Sequence, residues 1–175
     1  MSGFVIDACC LINVAASGQG EAILRALGSP VLVPTEVGNE ILYLAPESED
    51  EGRTPIDFPT LSAQLGLVPT SAENAEDVDL FIKTAAELDD GEAMALTLSQ
   101  SRKLTLLTDD RKCIRIATER AVAVLSTAQL VQRWSIDSDA ASVSMAIGRI
   151  ERLARYRPSE RDPLAKWWAD SLACK

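Results

Sequence analysis

The 175-residue sequence contains no histidine, and this absence excludes several classes of catalytic site. Ser-His-Asp triads, Cys-His pairs and the paired-histidine scheme of metal-free ribonucleases all need an imidazole to move protons. Structural zinc sites completed by histidine are excluded as well. An enzyme of this sequence would therefore work mainly with carboxylates. Carboxylates that lie close together usually need a divalent cation to offset their mutual repulsion.

Cysteine is scarce, and the spacing of the four cysteines includes no C-x-x-C pair that would indicate a metal site. Two of them, Cys9 and Cys10, are adjacent, whereas Cys113 and Cys174 stand alone. Adjacent cysteines rarely bridge each other because the geometry is strained, and a reducing cytosol keeps thiols free. We therefore expect Cys9 and Cys10 to be small, buried hydrophobic residues.

Long hydrophobic runs are also absent. The apolar run at residues 4–6 is short, has no basic flank and is interrupted by Asp7, so we expect neither a signal peptide nor a membrane span. A composition of 47% hydrophobic and 25% charged residues is typical of a globular domain with a real core. We expect a cytoplasmic protein with no membrane contact.

The net charge of −9 hides an uneven distribution. Residues 1–93 hold 17 acidic and 3 basic residues, whereas residues 94–175 hold 9 acidic and 14 basic ones. Solvated surface acids that favour solubility are the simpler explanation. The alternative explanation is that one end of the molecule is acidic and binds metal, while the other end is basic and faces phosphate groups.

Short apolar runs alternate with helical patterns along most of the chain. This alternation predicts an α/β fold: a doubly wound three-layer sandwich around a central, mostly parallel sheet. The predicted strands are FVI at 4–6, PVLVP at 30–34, GLVP at 66–69, LTLLT at 104–108 and AVAVLS at 121–126. The predicted helices cover residues 19–27, 35–45, 72–88, 91–102 and 111–119. In such a fold, ligands bind at the carboxyl ends of the strands.

Residues 46–60 interrupt this alternation. Three prolines, a glycine and five acids fall within them, which predicts an acidic surface loop with partial mobility.

The last part of the chain is helical in pattern. We expect two helices between Asp139 and Lys175, separated near Pro158. At least one of Trp167 and Trp168 should be buried, in the core or at an interface, because indole rings are large and mostly apolar. The predicted organisation is a main domain over residues 1–134 and a helical C-terminal extension over residues 135–175 packed on it.

Acidic residues follow the predicted strands at comparable positions. Asp7 ends the first strand, Glu40 lies in the helix after the second, Glu92 opens a later helix, and Asp109 and Asp110 end the fourth strand. Right-handed crossovers bring strand ends and the following helix starts to one edge of a parallel sheet. The sequence therefore predicts a carboxylate pocket that suits one or two Mg²⁺ or Mn²⁺ ions, which activate water and stabilise charge on a phosphoryl group.

Each of these acids has an alternative interpretation. Glu36 lies one helical turn before Glu40, although Glu40 has the more core-like neighbours. Asp89 and Asp90 can cap the helix that contains Glu92. One residue of the Asp109–Asp110 pair can cap the helix that begins near residue 111, in which case that residue is structural.

Four segments, in order, resemble the acidic motifs of PIN-domain nucleases, the family that includes VapC-type toxin ribonucleases. They are FVIDACCLINV, VPTEVGNEIL, LDDGEAMALTLS and LTLLTDDRKCIRIA, and the resemblance covers roughly residues 3–130. It implies a metal-dependent endoribonuclease that cuts single-stranded RNA, often as a homodimer, and that a small antitoxin inhibits in toxin members. Carried over by position, the Mg²⁺ or Mn²⁺ ligands and catalytic residues are Asp7, Glu40, Glu92 and Asp110, with Asp109 as the alternative last ligand. Asp110 is preferred because Thr108 matches the Thr-x-Asp pattern of the family.

The sequence departs from the family pattern in three ways. Ala8 and Cys9 stand where a hydroxyl or an amide would support Asp7. The third acid is Glu92 rather than aspartate, and the chain has an acidic loop and a helical tail beyond the minimal toxin.

The leading hypothesis is a metal-dependent ribonuclease in which Arg111, Lys112 and Arg115 contact the RNA backbone. The alternative is a catalytically inactive PIN-like module that binds RNA or protein, which the overall acidity favours. A receiver-like phospho-acceptor domain has little support, because residues 66–70 contain no aspartate and residues 121–127 no lysine.

Overall fold

The computed structural model describes residues 3–40, 43–44, 54–55 and 57–173, with side chains described outside residues 43–44 and 54–55. Within these ranges the strands are Phe4–Ile6 (β1), Val31–Pro34 (β2), Tyr43–Leu44 (β3), Thr54–Pro55 (β4), Val68–Thr70 (β5), Thr105–Leu107 (β6) and Val124–Leu125 (β7). Five of them form one sheet in the order β5-β2-β1-β6-β7, and every pairing in it is parallel. The predicted α/β fold with a parallel sheet is therefore confirmed.

The helices of the described ranges are Ala8–Ala16 (α1), Gly20–Arg25 (α2), Thr35–Glu40 (α3), Phe58–Gln64 (α4), Ala75–Ala85 (α5), Asp90–Arg102 (α6), Arg111–Glu119 (α7), Thr127–Ser135 (α8), Ala140–Arg149 (α9) and Ala165–Ala173 (α10). A π-helical turn, Ile150–Ala154, continues α9. In the part of the chain that the structure describes, no helix combines the length and apolar character needed to cross a membrane.

Helices cover both faces of the sheet and produce three layers. Along β1, Phe4 and Ile6 belong to a core shared with α1, α2, α8 and α9, whereas Val5 belongs to a second core with α6 and α7. This alternation follows from the period of two along a strand. Because both faces of β1 are buried, its side chains are apolar throughout.

The order of the strands places a topological switch point at β1. The chain passes from β1 to β2 on one side and later returns to pair β6 with the other side of β1. Connections that diverge in this way leave a crevice at the carboxyl ends of the two strands. Asp7 directly follows β1, and Thr108, Asp109 and Asp110 directly follow β6.

Helices α1, α4 and α8 were not predicted, and one predicted helix is shorter in the structure. Helix α1 was not predicted, because ACCLINVAA is nearly all apolar and lacks the polar face that marks an amphipathic helix. The predicted helix 35–45 ends at Glu40 in α3, and Tyr43–Leu44 pairs antiparallel with Thr54–Pro55.

The predicted loop 46–60 lies partly outside the described residues, namely at 46–53 and 56. Its last residues are not loop: Asp57 caps α4 by accepting a hydrogen bond from the backbone of Thr60, and α4 begins at Phe58. Proline is tolerated at the start of a helix, so Pro59 does not prevent this.

The C-terminal helices pack on the same core as α1 and α8. Val143 and Ile147 of α9 and Trp168 of α10 are buried in it, and Trp168 is only 1% exposed. This confirms that at least one of the paired tryptophans is buried. The boundary at residues 134 and 135 stays a prediction.

Candidate active site at the carboxyl edge of the sheet

Asp7 is fully buried where β1 ends and α1 begins. Its Oδ1 accepts a hydrogen bond of 2.8 Å from the backbone N–H of Cys10, which makes Asp7 the N-cap of α1. Burial is the main cause that raises the pKa of Asp7 to about 7, and the donors around it only partly offset this. Without a cation, this carboxyl group therefore binds a proton more readily than an exposed aspartate does.

Two further side chains support Asp7. The thiol of Cys9 lies 3.2 Å from Oδ1 and 3.1 Å from Oδ2 of Asp7, and the hydroxyl of Thr108 donates another hydrogen bond to this carboxylate. Cys10 is a buried hydrophobic residue as expected, but the expectation was wrong for Cys9, which is partly exposed and acts as a hydrogen-bond donor. Cys174 lies outside the described residues.

Thr108 links the first and last acids of the site. Its Oγ1 accepts a hydrogen bond of 3.1 Å from the backbone N–H of Asp110 while its hydroxyl proton is directed to Asp7. This gives the Thr-x-Asp pattern a physical role, because a single buried hydroxyl sets the position of Asp110 relative to Asp7.

Glu92 lies in the first turn of α6 and is partly exposed. Burial raises its pKa to about 7, and the charges of Asp110, Asp7, Asp89 and Glu40 add to this in decreasing order. The carboxylate of Glu92 is therefore coupled electrostatically to those of Asp110 and Asp7, although the three come from separate segments.

Glu40 is attached to the beginning of the same helix. Its Oε1 accepts a hydrogen bond of 2.6 Å from the backbone N–H of Gly91, and a Cβ at position 91 would lie 2.5 Å from that oxygen. Only glycine therefore permits this contact. Partial burial of the carboxylate raises the pKa of Glu40, and the charges of Asp89 and Asp90 act in the same direction.

Asp109 and Asp110 have different surroundings although they are adjacent. Asp110 caps α7 by accepting a hydrogen bond of 2.7 Å from the backbone of Cys113. Asp109 instead accepts hydrogen bonds from Asn13, from both the backbone and the hydroxyl of Thr127, and from the hydroxyl of Tyr156. These four donors occupy the carboxylate of Asp109, which favours Asp110 of the two as the member of the acidic site.

Three helices begin at this edge of the sheet. Asp7 caps α1, Asp110 caps α7, and Glu40 accepts a hydrogen bond from the backbone N–H of Gly91 in the first turn of α6. Helix N-termini carry partial positive charge, which stabilises carboxylates and attracts phosphate groups. The arrangement therefore suits both the acids that are present and a phosphodiester substrate.

The sequence matches a family model described as a PIN domain over residues 3–160. The chain belongs to the PIN-domain family. PIN domains are generally nucleases that act on RNA or DNA, so this protein has the fold of a nuclease. No curated protein and no solved structure gave a significant match. Family membership sets aside the receiver-like alternative.

PIN nucleases usually use divalent metal ions, and the acids of this PIN domain have the chemistry that such an ion prefers. Carboxylate oxygens are the ligands that hard cations prefer. In residues 3–40, 43–44, 54–55 and 57–173, none of the ion pairs neutralises Asp7, Glu40, Glu92 or Asp110. Within those same ranges, however, no three acidic or thiol side chains are arranged to enclose a metal ion.

The predicted RNA-contacting residues of the PIN domain lie on α7, directly after Asp110. Arg111 and Lys112 are exposed in its first turn. Arg115 is exposed as well, but its Nη1 lies 2.7 Å from Oε1 of Glu119, so it already has an acidic partner.

Sequence reasoning missed the residues that support the acids. Asn13 is a buried amide in an otherwise apolar helix, and Thr127 is a buried hydroxyl just after β7. A polar residue inside an apolar pattern is a usable signal, because a buried polar group needs a partner. Gly91, next to Glu92, is a similar signal of close backbone approach.

Proposed function

We propose that this PIN-domain protein is a divalent-metal-dependent endoribonuclease that hydrolyses phosphodiester bonds in single-stranded RNA. The observation that carries this proposal is the placement of Asp7 and Asp110 at the ends of β1 and β6, on the two sides of the switch point of the sheet, with Glu92 coupled electrostatically to both. Acids held together in this way are costly to a fold unless a cation or a proton is bound there during function.

In this proposal Asp7, Glu92 and Asp110 would hold Mg²⁺ or Mn²⁺, with Glu40 alongside. The ion would lower the pKa of a water molecule and stabilise the charge that develops on the phosphoryl oxygens. Glu92 is partly exposed at the start of α6, and burial raises the pKa of its carboxyl group to about 7 without a metal ion, which a bound cation would reverse. Thr108 holds Asp7 and Asp110 in place, and Glu92 is more exposed than the fully buried Asp7.

Arg111 and Lys112 would contact phosphates of the RNA beside the site, and Arg115 would do so to a smaller extent because of Glu119. The resemblance to VapC-type proteins also supports a toxin role, with a small antitoxin as partner and a homodimer as the assembly. Growth arrest on expression, relieved by the product of the neighbouring reading frame, would test that role.

The direct test is cleavage of a labelled single-stranded RNA with Mg²⁺ or Mn²⁺, in parallel with single-stranded DNA of the same sequence. We expect Asp7→Asn to reduce the rate by roughly 100-fold or more, since the loss of groups that only orient metal ligands already costs about 10- to 100-fold. Asparagine still caps a helix, so α1 should remain intact.

Asp139→Asn is the matched control, because Asp139 caps α9 in the same way and lies on a different element from the acids. It should cut at the parent rate. Equal rates for Asp7→Asn and the parent would refute the assignment, and cleavage of DNA but not RNA would change the substrate.

A non-catalytic PIN-like module that binds RNA or protein is the second candidate. It is favoured by the lack of an enclosed three-ligand group among the described residues. Calorimetric titration with Mn²⁺ separates the two functions: the nuclease requires binding that Glu92→Gln weakens, whereas the binding module requires none.

A further inference from the structure

A cavity of about 220 Å³ opens at the amino ends of β6 and β7, on the edge of the sheet opposite the acids. Its walls include Ser99 and Gln100 from the end of α6, Leu104 before β6 and Val122 after α7. The three residues of β6 separate it from the acidic site by about 10 Å or more. The cavity is therefore distinct from that site.

Two buried polar atoms of residues on these walls have no hydrogen-bond partner. Among the described residues, nothing pairs with Oγ of Ser99 or with Oε1 of Gln100, and Ser99 is only 1% exposed. Buried polar groups without a partner destabilise a fold. The amide oxygen of Gln100 needs a donor, whereas the hydroxyl of Ser99 can donate or accept. An occupant of the cavity with N–H or O–H groups would meet both needs.

The backbone around the cavity has an uncommon conformation at two positions. Lys103 has a φ of 55° and Ala121 a φ of 56°, and both residues line the cavity. Left-handed backbone is rare outside glycine, asparagine and aspartate, and it is often found at ligand sites. The turns that end α6 and α7 therefore keep a costly conformation on two sides of one cavity.

The charges of the lining residues favour a ligand with an anionic part at the opening. Lys103 is exposed and forms no ion pair with the residues that the structure describes. Arg120 is held in place, since its Nη1 donates to Oγ1 of Thr84 at 2.7 Å and its Nη2 lies 3.4 Å from Oε1 of Glu87. The ends of α6 and α7 carry partial negative charge, which disfavours a bare anion deep in the cavity.

The size of the cavity limits the buried part of the ligand to a single ring system. Sites for drug-sized ligands have volumes of roughly 300–1,000 Å³, and this cavity is smaller. A nucleobase has a flat apolar body, carries N–H donors on its edge and stacks on guanidinium groups such as that of Arg120. The phosphate attached to a nucleoside supplies the anionic part.

We propose that this cavity binds one nucleotide, with its base against Ser99 and Gln100 and its phosphate at Lys103. The nucleotide is either a free mononucleotide or a unit of an RNA strand, since both have the same chemistry. The inference does not depend on the proposed nuclease function, because none of the acids takes part in it.

The test is titration of the whole chain with adenosine monophosphate in EDTA, where no metal ion can bring phosphate to the acids. We expect the nucleotide to raise Tm of the parent protein and to shift the backbone amide signals of residues 99–105 and 121–123 in NMR spectra. Ser99→Ala should weaken binding by roughly threefold to tenfold, the value of one hydrogen bond. Lys103→Ala should weaken it as well and reduce its dependence on salt.

Ser62→Ala is the matched control. Ser62 of α4 is also buried with an unpartnered hydroxyl, but it does not line this cavity. Each alanine variant removes one oxygen that forms no hydrogen bond among the described residues, so both should keep Tm near the parent value without nucleotide. Only Ser99→Ala should lose nucleotide binding.

Two further titrations identify the ligand. A short single-stranded RNA that shifts the same amides more strongly than adenosine monophosphate would identify the strand as the ligand, and the reverse order would identify the free nucleotide. Inorganic phosphate alone should have little effect, because it cannot reach Gln100 with a donor on a base. An equal response to inorganic phosphate, no response of the parent protein to millimolar nucleotide, or equal losses in Ser99→Ala and Ser62→Ala would overturn the inference.

Discussion

Asp109 and Asp110 are consecutive residues at the end of the same strand, yet they belong to opposite faces of the sheet. Asp109 contacts Asn13 of α1 and Thr127 of α8, whereas Asp110 contacts α7 and acts electrostatically on Glu92 of α6. Adjacent residues in extended backbone point to opposite sides, so a pair of acids at a strand end divides between two environments.

The two environments show that one fold can place adjacent acids in different roles. Asp109 has four hydrogen-bond donors, which partly offset the burial that raises its pKa. At Asp7 and Glu92, burial is the main cause that raises each pKa to about 7. The charge of Asp109 adds to this at Asp7, and the charges of Asp110 and Asp7 add to it at Glu92. The hydrogen bonds of Asp109 stabilise the turn after β6, whereas a bound cation would stabilise the carboxylates of Asp7, Glu92 and Asp110.

The largest effect is expected when each acid of this pair is replaced, in turn, by asparagine. Asp110→Asn should reduce RNA cleavage by roughly 100-fold with little change in stability, since asparagine also caps a helix. Asp109→Asn should lower the free energy of unfolding by about 1–3 kcal/mol, because an amide presents its NH₂ group to donors that need an acceptor. Cleavage assays and urea denaturation of both variants check this. A more destabilised Asp110→Asn would show that the roles are reversed.

The second-largest effect is expected on the pH dependence of the free energy of unfolding. The folded-state pKa of Asp7 is about 7 against an unfolded value of 3.8, so the folded protein binds the proton more tightly. The stability that the proton on Asp7 contributes is then fully present below about pH 4 and is lost as pH rises through 7. For Asp7 alone, with EDTA present, the loss between pH 5 and 7.5 should be roughly 2–3 kcal/mol.

Urea denaturation across this range measures the loss. Mn²⁺ should reduce it by taking the place of the proton, and Asp7→Asn should flatten the curve without any metal. A flat curve for the parent protein in EDTA would contradict the burial of an ionisable Asp7.

The smallest effect extends the comparison to the basic residues on α7. Arg115 forms an ion pair with Glu119, whereas Lys112 forms none with the residues that the structure describes. Lys112→Ala should lower the slope of RNA affinity against salt concentration by roughly 0.7, the value for one phosphate contact on a single strand. Arg115→Ala should change it less, because Glu119 already pairs with Arg115 at 2.7 Å. Fluorescence anisotropy at several salt concentrations measures both slopes. An equal or larger change for Arg115→Ala would show that the ion pair opens on binding.

The sheet and the position of Asp7 and Asp110 at its carboxyl edge could be predicted because both follow from local pattern. Apolar runs of strand length mark β1, β2 and β6, and the rule for parallel strands brings Asp7 and Asp110 to one edge. Helix α1 could not be predicted in this way. A helix that is buried on most sides has no polar face, so its sequence does not show the helical repeat of polar and apolar residues.

The supporting contacts could not be predicted from local pattern. Cys9 looks like a hydrophobic residue until its thiol is seen beside the Asp7 carboxylate. Tyr156 joins Asp109 across 47 residues, and only the packing of the tail decides where its hydroxyl lies. Side-chain contacts between distant segments depend on tertiary structure, which composition and periodicity do not contain.

The contact between Glu40 and Gly91 has a consequence for the evolution of this protein. A Cβ at position 91 would lie within 2.7 Å of three atoms of the Glu40 carboxyl group, so a side chain there would push this carboxylate away from the backbone N–H of Gly91. A lineage that acquires a side chain at position 91 must shorten or displace the acid at position 40, and one that loses the acid is free to replace the glycine. The two positions should therefore covary among descendants of this chain, in spite of the 51 residues that separate them.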